Sequence, residues 1–586
     1  MKTEEMIWDL SDLYPGAADP MVLADVERLK ERISDFSAYR GKIAGLGPLE
    51  LLQAVGMLEE IFERIEKLVA YAYLDFSTRT LDSSASAFFQ SMKELYSRVE
   101  RDTLFFRLEW TGLEETAAVA LASSGVLSKY GHYLTSMRRY GPHLLSEPEE
   151  KILAEKSSAG PSAWEALFDK MLGQLSYGEK GKTQSEVLAG LHSPSREERK
   201  NSAAELSEGL SRVLMPLTHI FNTVLLDKSI EDRLRGYPHW LSRRNLENEI
   251  GDTTVCALLS AVRSRYDLVE RYYLLKKKLL GYDELFDYDR YAPVRESSGD
   301  GISWENARDI VLGSFEEFSP RAGKIVQLFF EKKWIHAAAS PGKRGGAYCH
   351  PVIPSAHPYI LLNFTGSRRD VMTLAHELGH GVHQYLARRQ GMLNCNTPLT
   401  TAESASIFAE TLVFRRLLDA TPSRPRRLAL ICSRIEDIFA TVFRQVAMSR
   451  FEEIVHNARR TRGELDSRFI CSAWMETQAE MFGGSVRLLE HYGTWWSYIP
   501  HFVHSPGYVY AYAFGELLTA VLHEKYLHDG PGFVPAYLEF LASGGRAQPG
   551  ELLGVLGVDP AEPGFWQRGL LMTEGLVEEA EREAAL

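Results

Sequence analysis

Two histidines four residues apart, His376 and His380, bracket a glutamate in the run Thr373-Leu374-Ala375-His376-Glu377-Leu378-Gly379-His380. On an α-helix, residues at i and i+4 share a face with Cβ atoms about 5–6 Å apart. Two imidazole nitrogens so placed can reach one zinc ion at about 2.0–2.1 Å each. Glu377 flanks the same turn and can reach a water on the open side of that ion, the general-base position of the His-Glu-x-x-His pattern. The chemistry implied is metal-assisted hydrolysis with one zinc per chain.

A catalytic zinc takes a third protein ligand and keeps a fourth position open. His383 lies seven residues after His376, about 10.5 Å along a straight helix, too far for one ion to reach both. It is expected to support the site from behind or to act as a substrate-side donor. Glu403 is the better candidate, opening a second helix after the turn from Gly391 to Pro398. Glu410, two turns later on the same face, is placed to orient a histidine. Spacing alone leaves a second reading of Glu403 open, because Thr400-x-x-Glu403 has capping-box form and the carboxylate can serve only the backbone there.

These side chains need a helix, and the flanking sequence supplies one. Ser367-x-x-Asp370 is a capping box, and Val371, Leu374, Leu378, Val382 and Leu386 recur at helical spacing. Gly391 after Arg388-Arg389 makes a C-terminal stop with cations on the negative helix end. Gly379 and Gly381 each cost about 1 kcal/mol of helix propensity, a cost that makes sense where another backbone packs closely. Upstream, Gly345-Gly346-Ala347-Tyr348 and the apolar run Tyr359 to Leu362 read as a small β-element. Its glycines would admit an extended substrate at a sheet edge; a plain loop before a buried strand is the alternative. Downstream, His501 and the alternating Tyr508, Tyr510 and Tyr512 offer donors to an oxyanion, or an aromatic stripe for a core. His501, Tyr508 and Tyr510 are the candidates for catalytic contacts.

The chain resembles oligoendopeptidase F, within the thimet oligopeptidase family of zinc metallopeptidases. The resemblance rests on Asn363-Phe364-Thr365-Gly366 leading into the His376 helix, on Ala402-Glu403-Ser404-Ala405-Ser406, and on Gly345 to Cys349. It extends to Ile7-Trp8-Asp9-Leu10-Ser11-Asp12-Leu13-Tyr14 near the start and to Tyr508 to Ala513 near the end. It implies Glu403 as third zinc ligand and a substrate-binding sheet edge at Gly345, Gly346, Ala347 and Tyr348. It also implies a mainly α fold of two lobes around a deep substrate channel, with a small β-sheet beside the zinc helix. Short unfolded oligopeptides cut internally are the substrates so implied. A helical zinc peptidase trimming chain ends, or a peptide-binding scaffold with a vestigial site, are the competing readings.

The rest of the chain is read as helix after helix, including Val22 to Phe36, Pro48 to Leu68 and Ala85 to Leu113. Ser195 and Glu198 mark a helix start and an expected division into an N-terminal helical lobe, 1–195, and a catalytic domain, 196–586. A softer break is expected at Ser297 to Gly301, and the acidic tail from Glu574 reads as a terminal helix. A formal net charge of −13 over 586 residues argues against general nucleic-acid binding. Five scattered cysteines without a CxxC pair argue against a disulfide framework or a cysteine-zinc site. With no apolar stretch of signal-peptide or membrane-spanning length, a cytoplasmic location without membrane partners is expected.

Overall fold

The computed structural model describes residues 6–157, 159–294 and 301–585; the break expected at Ser297 to Gly301 lies outside them except for Gly301. The described residues are mostly helical with one small sheet. They group into two compact units, each assembled from three stretches of chain. The first is Met1–Leu144, Gly299–Asp419 and Lys525–Asp559; the second is Leu145–Ser298, Ala420–Glu524 and Pro560–Leu586. The residues on both sides of the expected 195/196 boundary belong to the second unit. There Ser195 is the N-cap of the helix Arg196–Arg212, accepting from the Glu198 amide. Punctuation along the chain marks where a helix starts, whereas a unit is defined by contacts between distant segments. No helix among the described residues is long and apolar enough to cross a membrane.

In the first unit, the long helices Pro20–Ser37, Pro48–Thr78 and Ser83–Thr111 form where apolar periodicity places them. The second starts at Pro48, whose missing N–H costs nothing in the first helical turn, and buries Leu51, Val55, Leu58, Ile61, Ile65 and Leu68 along one stripe. It continues a further ten residues past Leu68, through Tyr71 and Leu74, which are also buried. The sheet contains β1 (Ile335–Ala338), β2 (Tyr348–His350) and β3 (Tyr359–Phe364), in the order β1-β3-β2. β1 pairs parallel and β2 antiparallel with β3. As the central strand, β3 is buried from Tyr359 to Leu362, which explains its continuous apolar run. β1 was not anticipated from sequence, since its residues Ile335-His336-Ala337-Ala338 neither alternate nor follow a turn signal.

The motif near the amino terminus anchors this sheet. Trp8, Leu13 and Tyr14 are buried, Tyr359 donates its hydroxyl to the Asp9 carbonyl at 2.8 Å, and Asp12 pairs with His357 at 2.9 Å. The second unit has its own core, in which Trp474, Trp495, Phe451 and Phe502 pack with Leu206, Leu210 and Phe221. All five cysteines are free.

Candidate metal centre

The centre is built from two consecutive helices of the first unit, Arg368–Ala387 and Leu399–Asp419. The first begins as expected: Ser367 is the N-cap, and its side chain and that of Asp370 satisfy one another's backbone amides. Val371, Leu374, Leu378, Val382 and Leu386 are all buried, which fixes the helix's rotation and so the direction of His376 and His380. Its end differs in detail. Gly391 adopts φ +80° after a short 3-10 turn, but the two arginines bind elsewhere. Arg388 donates to the Ala356 carbonyl and Arg389 to Glu539.

Gly379 decides how closely the two helices approach. A Cβ there would stand 2.5 Å from the Ala405 carbonyl oxygen and 2.6 Å from Ser406 Cα. Only glycine lets the Glu403 helix lie directly on the histidine helix, which accounts for its propensity cost. Gly381 similarly makes room for the ring of Phe329, 2.7 Å from a notional Cβ.

The result is convergence on one carboxylate oxygen. Glu403 Oε2 is 3.5 Å from His376 Nε2 and 3.5 Å from His380 Nε2, and the three potential ligand atoms all lie within 4.8 Å of one another. Two bonds of about 2.0–2.1 Å meeting at the tetrahedral angle separate their outer atoms by about 3.4 Å. The donor set, two imidazoles and a carboxylate, and its spacing therefore both fit zinc. Ser406 donates to the same Glu403 oxygen at 2.8 Å. The capping-box alternative does not fit, because the helix already starts at Leu399 and Thr400 Oγ1 has no hydrogen-bond partner among the described residues. Glu410 Oε1 sits 2.6 Å from His376 Nδ1, fixing the ring with Nε2 toward Glu403.

Electrostatics follow from burial and charge. Burial works against the Glu403 carboxylate, yet the hydrogen bond and charge of His380 and the charge of His376 hold it at about 2. Burial also opposes charging of His376, but the hydrogen bond and charge of Glu410 overcome it and raise the imidazole to about 9. Glu377 is 6% exposed, and burial raises its carboxyl above the usual range despite the two nearby histidines. Cys349 on β2 is pushed well up by burial and by the charge of Glu377, and its thiol donates to Gln384 at 3.1 Å.

Of the two roles expected for it, His383 fits support from behind the site and not the substrate-side one. It is 4% exposed, and its ring hydrogen-bonds the backbone of Ala402, so it braces the residue just before Glu403. At the sheet, Gly345 and Gly346 are exposed, Gly346 has φ +79°, and nothing lies within 4 Å of a Cβ on either. The loop carrying them is pinned from below. Lys343 donates to the carbonyls of His336, Ala338 and Leu362, and Asn363 donates to those of Arg344 and Gly346. Ala347 leads into β2, whose outer edge carries Tyr348 at its start.

The aromatic segment belongs to the second unit and divides by burial. Tyr510 is fully buried; its hydroxyl donates to Asn245 and accepts from Asn248, both at 2.8 Å. It is a core residue, and its candidacy as a catalytic donor is withdrawn on that ground. His501, Tyr508 and Tyr512 are half-buried and form one cluster. His501 Nε2 is 3.1 Å from the Tyr512 hydroxyl, and the Tyr508 and Tyr512 rings meet edge to face at 5.0 Å. One candidate was missed in the sequence: Ser406, which had a usable signal in its i+3 spacing from Glu403. Tyr512 is one of the three alternating donors expected from the sequence, and the structure joins it to His501.

A family model described as Peptidase family M3 matches residues 189–572, and one described as Oligopeptidase F matches residues 109–177. Oligopeptidase PepF of Bacillus subtilis is 27% identical over 591 residues, covering 98% of this chain and 87% of the relative. A solved protein from Chlamydophila abortus superposes with a TM-score of 0.85 at 24% identity, covering 99% of both chains. Oligoendopeptidase-F from Enterococcus faecium superposes with a TM-score of 0.71 at 21% identity, covering 96% of this chain and 98% of that one. At these identities the structural likeness speaks for the fold.

Proposed function

The chain belongs to peptidase family M3, a hydrolase of peptide bonds, and from that premise we propose a zinc-dependent endopeptidase acting on short unfolded oligopeptides. The observation that carries the metal assignment is the single Glu403 oxygen lying 3.5 Å from both His376 and His380 Nε2 atoms. His376, His380 and Glu403 would hold the ion, with Glu410, Ser406 and His383 fixing their orientation. When bound, zinc supplies Lewis acidity toward water and a carbonyl oxygen.

Glu377 is the general base. It takes a proton from the attacking water and returns it to the amine nitrogen as the C–N bond breaks. Its burial suits this task, because a carboxylate raised toward working pH matches the proton it must accept and then release. The β2 edge, with Gly345, Gly346, Ala347 and Tyr348, would receive the peptide as an added strand. Backbone pairing of that kind needs an extended chain, which favours unfolded peptides over folded proteins. His501 and Tyr508, joined by Tyr512, are proposed as donors to the substrate carbonyl as it gains negative charge. Internal cleavage is supported by the names of the relatives, which include oligoendopeptidase F homologues.

The test combines metal analysis with a quenched fluorescent oligopeptide. The wild type is expected to hold one zinc, to lose hydrolysis to a chelator, and to regain it with zinc. Glu377→Gln should keep the zinc and lose at least about 10²-fold in kcat, while Glu403→Ala should lose the zinc itself. Full turnover by Glu377→Gln overturns the base assignment, and undiminished zinc in Glu403→Ala overturns the ligand set. Mass spectrometry of the products separates internal cuts from removal of terminal residues or dipeptides.

A further inference from the structure

The second unit contains a cavity of about 280 Å³ formed by the helices Ser242–Glu247, Asp252–Arg263 and Arg444–Arg462 with the segment before the first. That is the small end of the roughly 300–1,000 Å³ range of small-molecule sites. Trp240, Val255, Leu259 and Val446 give it an apolar wall. Ser449 also lines it, is 1% exposed, and its hydroxyl has no hydrogen-bond partner among the described residues. A helical serine ordinarily donates to a carbonyl a turn back, as Ser207 does to Ala203 at 2.7 Å. A buried hydroxyl without such a bond carries a free-energy cost and marks this wall as loosely satisfied.

Both signs of charge line the same cavity: Arg263 and Arg450 on one side of the account, Asp252 and Glu453 on the other. Arg263 pairs with Glu480 at 2.6 Å, with both side chains about 40% exposed, and Arg450 pairs with Glu453 at 2.6 Å. Those pairs leave each guanidinium with further N–H donors and Glu453 with further acceptor capacity. A ligand carrying one charge would meet groups of its own sign. A zwitterion with an apolar body satisfies both signs and the wall together.

We propose that this cavity binds a free α-amino acid with an apolar side chain. Its carboxylate lies against Arg263 and Arg450, its ammonium against Glu453, and its side chain against Leu259 and Val255. The wall is shared with the aromatic segment of this unit. Asn245 donates to Asp252 at 2.6 Å and accepts from the Tyr510 hydroxyl at 2.8 Å, and Leu241 Cδ1 lies 2.7 Å from a notional Cβ on Gly507. The site stands independently of the metal centre, and peptide hydrolysis bears only on where the ligand comes from.

Isothermal titration calorimetry of the full chain with leucine, isocaproate (no amine) and isoamylamine (no carboxylate) tests it. Leucine is expected to bind saturably at one site, and each single-charge analogue at least about tenfold more weakly. Leu259→Trp, which fills the cavity, should abolish binding. Arg263→Gln, on the exposed rim where folding is not at stake, should weaken it about tenfold. No saturable heat with leucine, equal binding of the analogues, or an unchanged Kd in Arg263→Gln would overturn the proposal.

Discussion

Replacing Gly379 by alanine should weaken metal binding without disturbing the helix that carries the histidines. The added Cβ would stand 2.5 Å from the Ala405 carbonyl oxygen and 2.6 Å from Ser406 Cα, where ordinary contact begins near 3.4 Å. Both neighbours are backbone, so no side chain can rotate away, and the Glu403 helix must shift by about 0.9 Å. Glu403 Oε2 now lies 3.5 Å from each histidine Nε2. Carried onto that oxygen, the shift gives about 4.4 Å, whereas two metal bonds of about 2.1 Å span at most about 4.2 Å. One ligand is lost or strained, and zinc affinity should fall about 10–100-fold, the range seen when ligand orientation is disturbed. Stability should change less, because overpacking costs about 1–3 kcal/mol and alanine returns about 1 kcal/mol of helix propensity. Competition against a chromogenic chelator reads the affinity, and thermal melting of the chelated protein reads the fold. Gly381→Ala is the control: its Cβ meets the Phe329 ring, so melting should fall while affinity holds within about threefold. If Gly379→Ala also binds zinc within about threefold of wild type, backbone approach does not set the ligand geometry.

Glu410→Gln removes the carboxylate that sits 2.6 Å from His376 Nδ1, and zinc affinity should drop about 10-fold or more; chelator competition measures it. Tyr510→Phe leaves Asn245 and Asn248 each short of a buried partner. It should cost about 1–2 kcal/mol in denaturant unfolding with kcat close to wild type. Tyr508→Phe should do the reverse, cutting kcat by about 10² at unchanged stability; an unaltered kcat would remove Tyr508 from the chemistry. Acid should destabilise the sheet through His350, whose burial depresses its pKa from 6.5 to about 4 and whose Nδ1 accepts from the Val352 amide at 3.0 Å. The unfolded imidazole takes its proton first, so this stability is complete above pH 6.5 and is lost as pH falls toward 4. Melting at pH 7 and pH 4.5 should differ less in His350→Asn than in wild type.

Local spacing made much of the centre legible. His376, Glu377 and His380 lie within one and a half helical turns, so their relative placement follows from backbone geometry once Ser367 starts the helix and the apolar stripe fixes its rotation. The cost of Gly379 was visible as well, and its partner proved to be the backbone at Ala405 and Ser406. The substrate-side reading of His383 and the catalytic reading of Tyr510 fall for a common reason. Side-chain type advertises what a group can donate, but only packing decides whether it faces solvent or a buried carbonyl or amide.

What the chain's linear order determined by itself was the short-range machinery: helix starts, the His-Glu-x-x-His face, and the apolar run that became β3. The tertiary structure decided which carboxylate meets that face. Glu403 lies 23 residues beyond His380, and no periodicity links two helices joined by a turn. It also decided that Glu410 reaches back to His376, that β1 joins β3 across more than twenty residues of chain, and that each unit gathers three separated stretches. Hydrogen bonds within a helix depend on neighbours a turn away, so sequence exposes them. Contacts between helices depend on how whole apolar faces pack, and that is settled only when the chain has folded.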